Sequence, residues 1–189
     1  MTLKVAIVVG NPKPMSRTLR IAELLVKKLL AGKSFSLETI DLAEHASEMF
    51  KWPSDTMAGL NELVARSHLV VVASPTYKAT YTGLLKAFLD RYPANALRGV
   101  VAIPVMTGAD HSHSMAPVVN LAPLLVELGA TVPFGGFYFA VNQMDRLEDL
   151  IAAAASGSAA TIHALCRIVH DFPPSTGAYA EANEETDHG

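Results

Sequence analysis

The chain has a single cysteine, Cys166, among its 189 residues, and it lacks any long apolar run. One cysteine excludes an intramolecular disulfide framework and fits a reducing cytoplasm, where we expect the protein to reside. Its longest apolar runs, such as Leu69–Ala73 and Val100–Met106, fall far short of the roughly 18 residues that a membrane span needs. No secretory leader pattern opens the sequence, so we expect neither export nor membrane association.

Excess positive charge is also missing. The formal net charge is -3 at pH 7 and the pI is about 6.1, which argues against a nucleic-acid partner. Hydrophobic residues make up 50% of the chain, charged residues 17%, and the mean hydropathy is +0.27. Because no membrane span accounts for this apolar excess, we expect burial in a subunit interface, as in a homodimer or homotetramer that acts on small molecules.

Apolar runs typical of strands alternate with amphipathic segments typical of helices. The expected strands are Leu3–Val9, Phe35–Ile40, Leu69–Ser74, Val100–Met106 and Ala130–Ala140. The first expected helix begins at Ser16. The other expected helices cover Asp55–Ser67, Thr82–Arg91, Ser112 or Ser114 to Leu128, and Asp145–His170. This alternation predicts an α/β domain, residues 1–172, with a doubly wound parallel sheet of order 2-1-3-4-5. The polar, acidic segment 173–189 is expected to be disordered.

In such a sheet the ligand lies beyond the carboxyl ends of the strands, so the loops after Val9, Ser74 and Met106 are the candidate site. The first loop has neither a GxGxxG fingerprint nor a Walker sequence. It does offer the start of a helix, the hydroxyls of Ser16 and Thr18, and the planar cation of Arg17, which together suit a phosphate group. The alternative is a plain capped helix with a surface arginine.

The second loop combines Pro75, Thr76 and Tyr77, which can lie against a flat ring; the alternative is a turn with surface tyrosines. Gly108, in the third loop, would let the backbone approach a ligand closely. Further along, Lys86 and Asp90 are spaced to form a surface pair on one helix.

The three loops together resemble the NADPH-dependent FMN reductase family of flavodoxin-like proteins. The resemblance is carried by G-x-P-x3-S-R-T at Gly10–Thr18, S-P-x-Y-x5-G-x-L-K-x-x-L-D at Ser74–Asp90, and T-G at Thr107-Gly108. It extends to about His170. The Lys78–Gly83 stretch is most similar to the reductases of two-component alkanesulfonate and methanesulfonate monooxygenase systems.

This resemblance implies FMN and NADPH, or NADH, as cofactor and substrate, and a monooxygenase that receives reduced FMN. Ser16, Arg17 and Thr18 would hold the FMN phosphate. Pro75, Thr76 and Tyr77 would line the isoalloxazine and ribityl region, and Thr107 and Gly108 would approach the flavin ring. The helix of Lys86 and Asp90 is one that such proteins bury between subunits. Hydride passes directly from the nicotinamide to the flavin, so no acid–base catalytic residue is expected.

The chain departs from the family pattern at three positions. Ala109 stands where many members have a second glycine, Asp110 adds a negative charge, and Val119 falls where some sulfonate-system reductases have Tyr or His. Two alternatives stay open: a reductase of quinones, azo dyes or metal ions with tightly bound FMN, and a flavodoxin-type electron carrier. No metal-ligand cluster is expected, because Asp110, His111 and His113 lack further partners.

Overall fold

Five parallel strands form one sheet in the order β2-β1-β3-β4-β5, as the sequence predicted. They are β1 (Leu3–Val9), β2 (Phe35–Asp41), β3 (Leu69–Pro75), β4 (Val101–Gly108) and β5 (Phe137–Ala140). This computed structural model describes residues 2–171, with side chains up to residue 168. The predicted domain end at residue 172 and the segment 173–189 therefore lie outside the described residues.

Helices cover both faces of this sheet. α1 (Arg17–Leu29) and α5 (Leu147–Asp171) pack on one face, and α2 (Asp55–Ala65), α3 (Gly83–Leu89) and α4 (Ala122–Glu127) pack on the other. Successive strand side chains point to opposite faces, so Ile7 joins the α1–α5 layer, whereas Ala6 and Val8 join the layer beneath α2 to α4. Burial on both faces explains why the inner strands are continuous apolar runs.

Two elements are shorter than the sequence suggested. The last strand was expected over Ala130–Ala140, but only Phe137–Ala140 pairs continuously with β4, while Thr131 makes an isolated bridge to Val101. Pro133 has no N–H to donate, and Gly136 turns the chain with a φ of 91° against the Pro104 carbonyl. The segment before α4 is divided into a 3₁₀ turn, His111–His113, and a π-helix, Pro117–Leu121.

The last helical segment of the described chain is unusually apolar. Val141–Ile168 reaches a mean hydropathy of 1.2 over an 18-residue window, so by length and composition alone it could cross a membrane. In the structure its buried positions, including Ile151 and Ile162, pack against α1. Two polar contacts strengthen this packing: Lys28 Nζ lies 3.0 Å from Glu148 Oε2, and His163 Nε2 lies 2.7 Å from the Leu29 carbonyl oxygen.

The register of the sheet sets the position of the site. Val9 pairs with Ala73, and Pro75 pairs with Thr107, so β1, β3 and β4 end at the same edge. The loops that follow these strands therefore meet beyond their carboxyl ends, at the point where the strand order reverses.

Candidate functional site

Thr107, at the end of β4, joins the three predicted loops. Its Oγ1 lies 2.9 Å from Thr18 Oγ1, in the first loop, and its carbonyl accepts a 2.6 Å hydrogen bond from the Thr76 N–H, in the second. Both threonine hydroxyls are buried, with residue exposures of 1% for Thr18 and 3% for Thr107. The structure thus brings residues from all three predicted segments together, although they are far apart in the chain.

The first loop ends in a capped helix that can bind an anion. Ser16 is the N-cap of α1, and its Oγ accepts a 3.2 Å hydrogen bond from the Leu19 N–H. The N–H groups of Arg17 and Thr18, in the first turn, have no acceptor within the helix, and the helix dipole adds partial positive charge there. Arg17 is exposed, so its guanidinium can reach a ligand from solvent. The Thr18 hydroxyl is hydrogen-bonded to Thr107 and Asn11. The backbone N–H of Thr18 is therefore the group that can bind a phosphate.

A buried carboxylate shapes this loop from below. Asp41, at the end of β2, is 6% exposed and accepts a 2.9 Å hydrogen bond from the Met15 N–H. Met15 has a φ of 50°, an uncommon conformation for a residue with a side chain. Asp41 therefore holds the chain in the turn that leads into Ser16. The sequence does not reveal this role, because Asp41 lies just beyond the expected second strand, Phe35–Ile40, and 26 residues from its partner Met15.

The second loop is a tight hairpin. The Tyr77 N–H donates to the Thr80 carbonyl at 2.8 Å, and the Thr80 N–H donates to the Tyr77 carbonyl at 3.2 Å. Lys78 and Ala79 between them have φ values of 51° and 70°, a conformation that usually selects Asn-Gly in two-residue turns. Asn120, in the π-helix, donates a 2.9 Å hydrogen bond to the Ala79 carbonyl and supports the turn. Tyr77 is 52% exposed, so its ring is available to a ligand.

Thr82 connects the second loop to the first. It is the N-cap of α3: its Oγ1 accepts a 3.1 Å hydrogen bond from the Leu85 N–H and donates to the Gly10 carbonyl. Its own N–H donates to Ser74 Oγ at 3.1 Å. Gly10 cannot carry a side chain here, because a Cβ would collide with Leu85. A threonine just before an apolar helical stretch is a recognisable cap, but its bond to Gly10 could not be read from the sequence.

The third loop is fixed by a tyrosine from β5. The Tyr138 hydroxyl donates a 2.7 Å hydrogen bond to the Asp110 carbonyl, and a Cβ at Gly108 would collide with that hydroxyl. Burial raises the pKa of Tyr138, which keeps the phenol protonated as a donor. Asp110 accepts a 2.8 Å hydrogen bond from the Ser112 N–H, and hydrogen bonding to Ser112 lowers the pKa of its carboxyl. This loop therefore carries a negative charge at neutral pH.

Thr76 provides an unsatisfied polar group between these loops. Its Oγ1 is buried and has no hydrogen-bond partner among the described residues. The Thr76 hydroxyl lies close to the Tyr138 phenol and partly offsets the increase in the Tyr138 pKa that burial causes. The two hydroxyls are not in hydrogen-bonding geometry. A buried hydroxyl without a partner is costly unless a ligand atom completes its bonding. The arrangement of an anion-binding helix start, an unsatisfied hydroxyl and an exposed aromatic ring fits a phosphorylated, planar ligand such as FMN.

Other candidates from the sequence lie away from this site or lack partners. Among residues 2–171, no group of three or more His, Cys, Asp or Glu side chains is placed to hold a metal ion. Cys166 packs in the α1–α5 layer, and burial raises the pKa of its thiol to about 11. Lys86 and Asp90 pair with each other on α3, where both side chains are partly exposed in the single chain. Val119 lies in the π-helix and is 58% exposed.

Sequence comparison places the chain among FMN reductases. The NADPH-dependent FMN reductase family matches residues 3–145. The chain is 31% identical over 151 residues to the NADH-dependent FMN reductase SfnF of Pseudomonas putida, covering 76% of this chain and 81% of that protein. It is 31% identical over 131 residues to an FMN reductase (NADPH) of Escherichia coli K12, covering 68% of each chain.

Solved structures agree with the sequence relatives. An apo NADH:FMN oxidoreductase, EMOB, superposes with a TM-score of 0.74 at 26% identity, covering 85% of this chain and 90% of that one. An oxidoreductase from Corynebacterium diphtheriae superposes with a TM-score of 0.75 at 25% identity, covering 90% and 98%. The fold is thus flavodoxin-like, and the chain belongs to the NADPH-dependent FMN reductase family.

Proposed function

We propose that this chain uses FMN as an exchangeable substrate and releases it reduced to a separate flavin-dependent monooxygenase. Family membership makes the chain an NAD(P)H:FMN oxidoreductase. The observation that carries the finer proposal is the openness of the site: Arg17 and Tyr77, at its phosphate and ring ends, are both exposed. The relative named SfnF, an NADH-dependent FMN reductase, supports the same kind of activity.

The predicted residues take complementary roles in this proposal. The phosphate binds at the start of α1, to the backbone N–H groups of Arg17 and Thr18, the Ser16 hydroxyl and the Arg17 guanidinium. Pro75, Thr76 and Tyr77 face the ribityl chain and the ring, and Thr76 Oγ1 gains its missing hydrogen-bond partner there. Thr107 and Gly108 form the third side, where the absence of a Cβ at Gly108 keeps the backbone close to Tyr138.

The chemistry asks the protein for position rather than for proton transfer. FMN, when bound, accepts a hydride from the nicotinamide of NADPH or NADH. The chain contributes by holding the phosphate at one end and supporting the ring at the other. The Tyr77–Thr80 hairpin is suited to this, because Asn120 supports its turn while Tyr77 remains free to contact a ring.

We further propose that the chain works as a homo-oligomer assembled through a surface beside α3. Phe50 is 85% exposed and Trp52 73% exposed, an unusual placement for two large apolar side chains. They line a groove of about 400 Å³ together with Lys86, Asp90 and Arg91, and the Arg91 guanidinium lies 4.2 Å from the Trp52 ring centroid. Covering this groove would account for the high apolar content and place the Lys86–Asp90 pair in an interface.

We also propose that the protein is located in the cytoplasm, because its single cysteine is buried and not paired in a disulfide.

Release of the product flavin is tested directly by anaerobic ultrafiltration. The protein is mixed with FMN and excess NADPH, or NADH, and filtered after reduction is complete. If FMN is a substrate, reduced flavin appears in the filtrate. Any flavin that stays with the protein above the filter exchanges with free flavin. Reduced flavin that stays entirely with the protein would contradict release and would favour a tightly bound FMN that serves another acceptor.

A further inference from the structure

A second cavity lies between the sheet and the α1–α5 layer, beside the third flavin loop. Its volume is about 150 Å³. It is lined by β4, β5 and the facing sides of both helices, and none of the eight residues assigned to FMN contributes to it. It borders that site through Tyr138, which lines the cavity and whose hydroxyl donates to the Asp110 carbonyl of the third loop.

The walls of this cavity are apolar and partly aromatic. Phe137 and Phe139 contribute from β5, while Ile21 contributes from α1 and Ile151 from α5. Ala154, on α5, also faces the space, and its small side chain leaves room that a longer one would fill. Phe137, Leu150 and Ala154 are only partly buried, so the cavity opens to solvent. Its volume is nevertheless close to that of an apolar cavity that binds benzene, which suits a single six-membered ring.

Three polar side chains line the cavity: His111, Gln143 and Tyr138. His111, in the turn after β4, and Gln143, just after β5, lie at the end of the cavity that faces the strand termini. Both side chains can donate or accept a hydrogen bond, and Tyr138 adds a phenol hydroxyl to the lining, while no carboxylate, lysine or arginine contributes to it. A ligand with one polar group and an otherwise apolar ring would match both regions.

We propose that this cavity is a binding site for a small uncharged aromatic molecule with one hydrogen-bonding substituent, of the size of phenol. The ring lies between Phe137 and Phe139, and the hydroxyl reaches His111 or Gln143 at the opening. Charged compounds bind less well because no carboxylate, lysine or arginine lines the cavity, and larger compounds exceed its volume. None of the eight residues assigned to FMN lines the cavity, so FMN and this ligand can bind at the same time on either side of Tyr138.

The test uses thermal unfolding of the full chain with saturating FMN present, so that phenol cannot act through an empty flavin site. At phenol concentrations of about 100 times its Kd, Tm is expected to rise by about 5–10 °C. Ala154→Leu fills the cavity and is expected to abolish the shift. Ala153→Leu makes the same change at an exposed neighbouring position that does not line the cavity, and it is expected to keep the full shift.

A wild-type experiment covers the case in which Ala154→Leu does not fold. Nuclear Overhauser contacts between phenol ring protons and the Phe137 and Phe139 rings are expected at saturation. Absence of both the Tm shift and these contacts in the wild type would overturn the proposal, as would an equal Tm shift in Ala154→Leu. Neither measurement depends on turnover, so failure here leaves the proposed reductase activity unaffected.

Discussion

At the scale of single residues, Arg17 tests the phosphate end of the flavin site. Arg17→Ala removes a charge-assisted contact while leaving the backbone N–H groups of α1 in place. The Kd for FMN, measured by quenching of flavin fluorescence, is expected to rise about 10- to 150-fold, which corresponds to about 1.5–3 kcal/mol. Arg98→Ala is the matched control. Arg98 is an exposed arginine just before β4, near the amino ends of the strands and away from the loops at their carboxyl ends. Equal affinities for the two variants would place the phosphate elsewhere.

A second residue-scale prediction concerns Asn61, which is fully buried on α2. Neither its Oδ1 nor its Nδ2 has a hydrogen-bond partner among the described residues. Asn61→Leu keeps the same branched shape and removes both unsatisfied atoms, so the free energy of unfolding is expected to increase by about 1–3 kcal/mol. Denaturant titration measures the change, with Asn142→Leu, at an exposed position, as the control. A loss of stability would show that Asn61 has a polar partner in solution.

Residue-scale prediction from the sequence succeeded where the signal is local. Ser16 was expected to cap α1, and it does, because a serine before an amphipathic stretch needs only its own helix as a partner. The Thr18–Thr107 and Asn120–Ala79 contacts could not be predicted, because their partners are 89 and 41 residues apart. The same distance in sequence hid the contact of Tyr138 with the third loop.

At the scale of secondary-structure elements, Thr82 links the start of α3 to the first loop. Thr82→Val keeps the side-chain shape but removes the hydrogen bonds to the Leu85 N–H and the Gly10 carbonyl. The free energy of unfolding is expected to fall by about 1–3 kcal/mol, because both groups lie in a buried region. FMN affinity should fall as well, since the two loops lose their connection. Thr56→Val, at an exposed position of α2, serves as the control, and a comparable loss there would refute a special role for Thr82.

The elements differed in how well the sequence specified them. The inner strands β1, β3 and β4 were located within two residues, because burial on both faces produces uninterrupted apolar runs. The predicted last strand was longer than the observed one. Ala130–Val132 is apolar enough for a strand, but Pro133 and Gly136 prevent continuous pairing. The π-helix at Pro117–Leu121 has no periodicity that distinguishes it from an α-helix over five residues.

At the scale of the whole molecule, the proposed assembly depends on the groove beside α3. Phe50→Ser combined with Trp52→Ser removes the two exposed rings and should convert the oligomer to a smaller species in light scattering. Val126→Ser, on an exposed part of α4 outside that groove, is the control and should leave the mass unchanged. A wild-type protein that is monomeric at micromolar concentration would contradict this part of the account.

The whole molecule is expected to reduce free FMN with a nicotinamide cofactor. The most direct test is the oxidation of NADPH, and separately of NADH, by the purified protein at increasing FMN concentrations, after its visible spectrum has been recorded. We expect a colourless protein whose rate is negligible without FMN and rises to saturation as FMN is added. A yellow protein whose rate does not respond to added FMN would contradict this expectation.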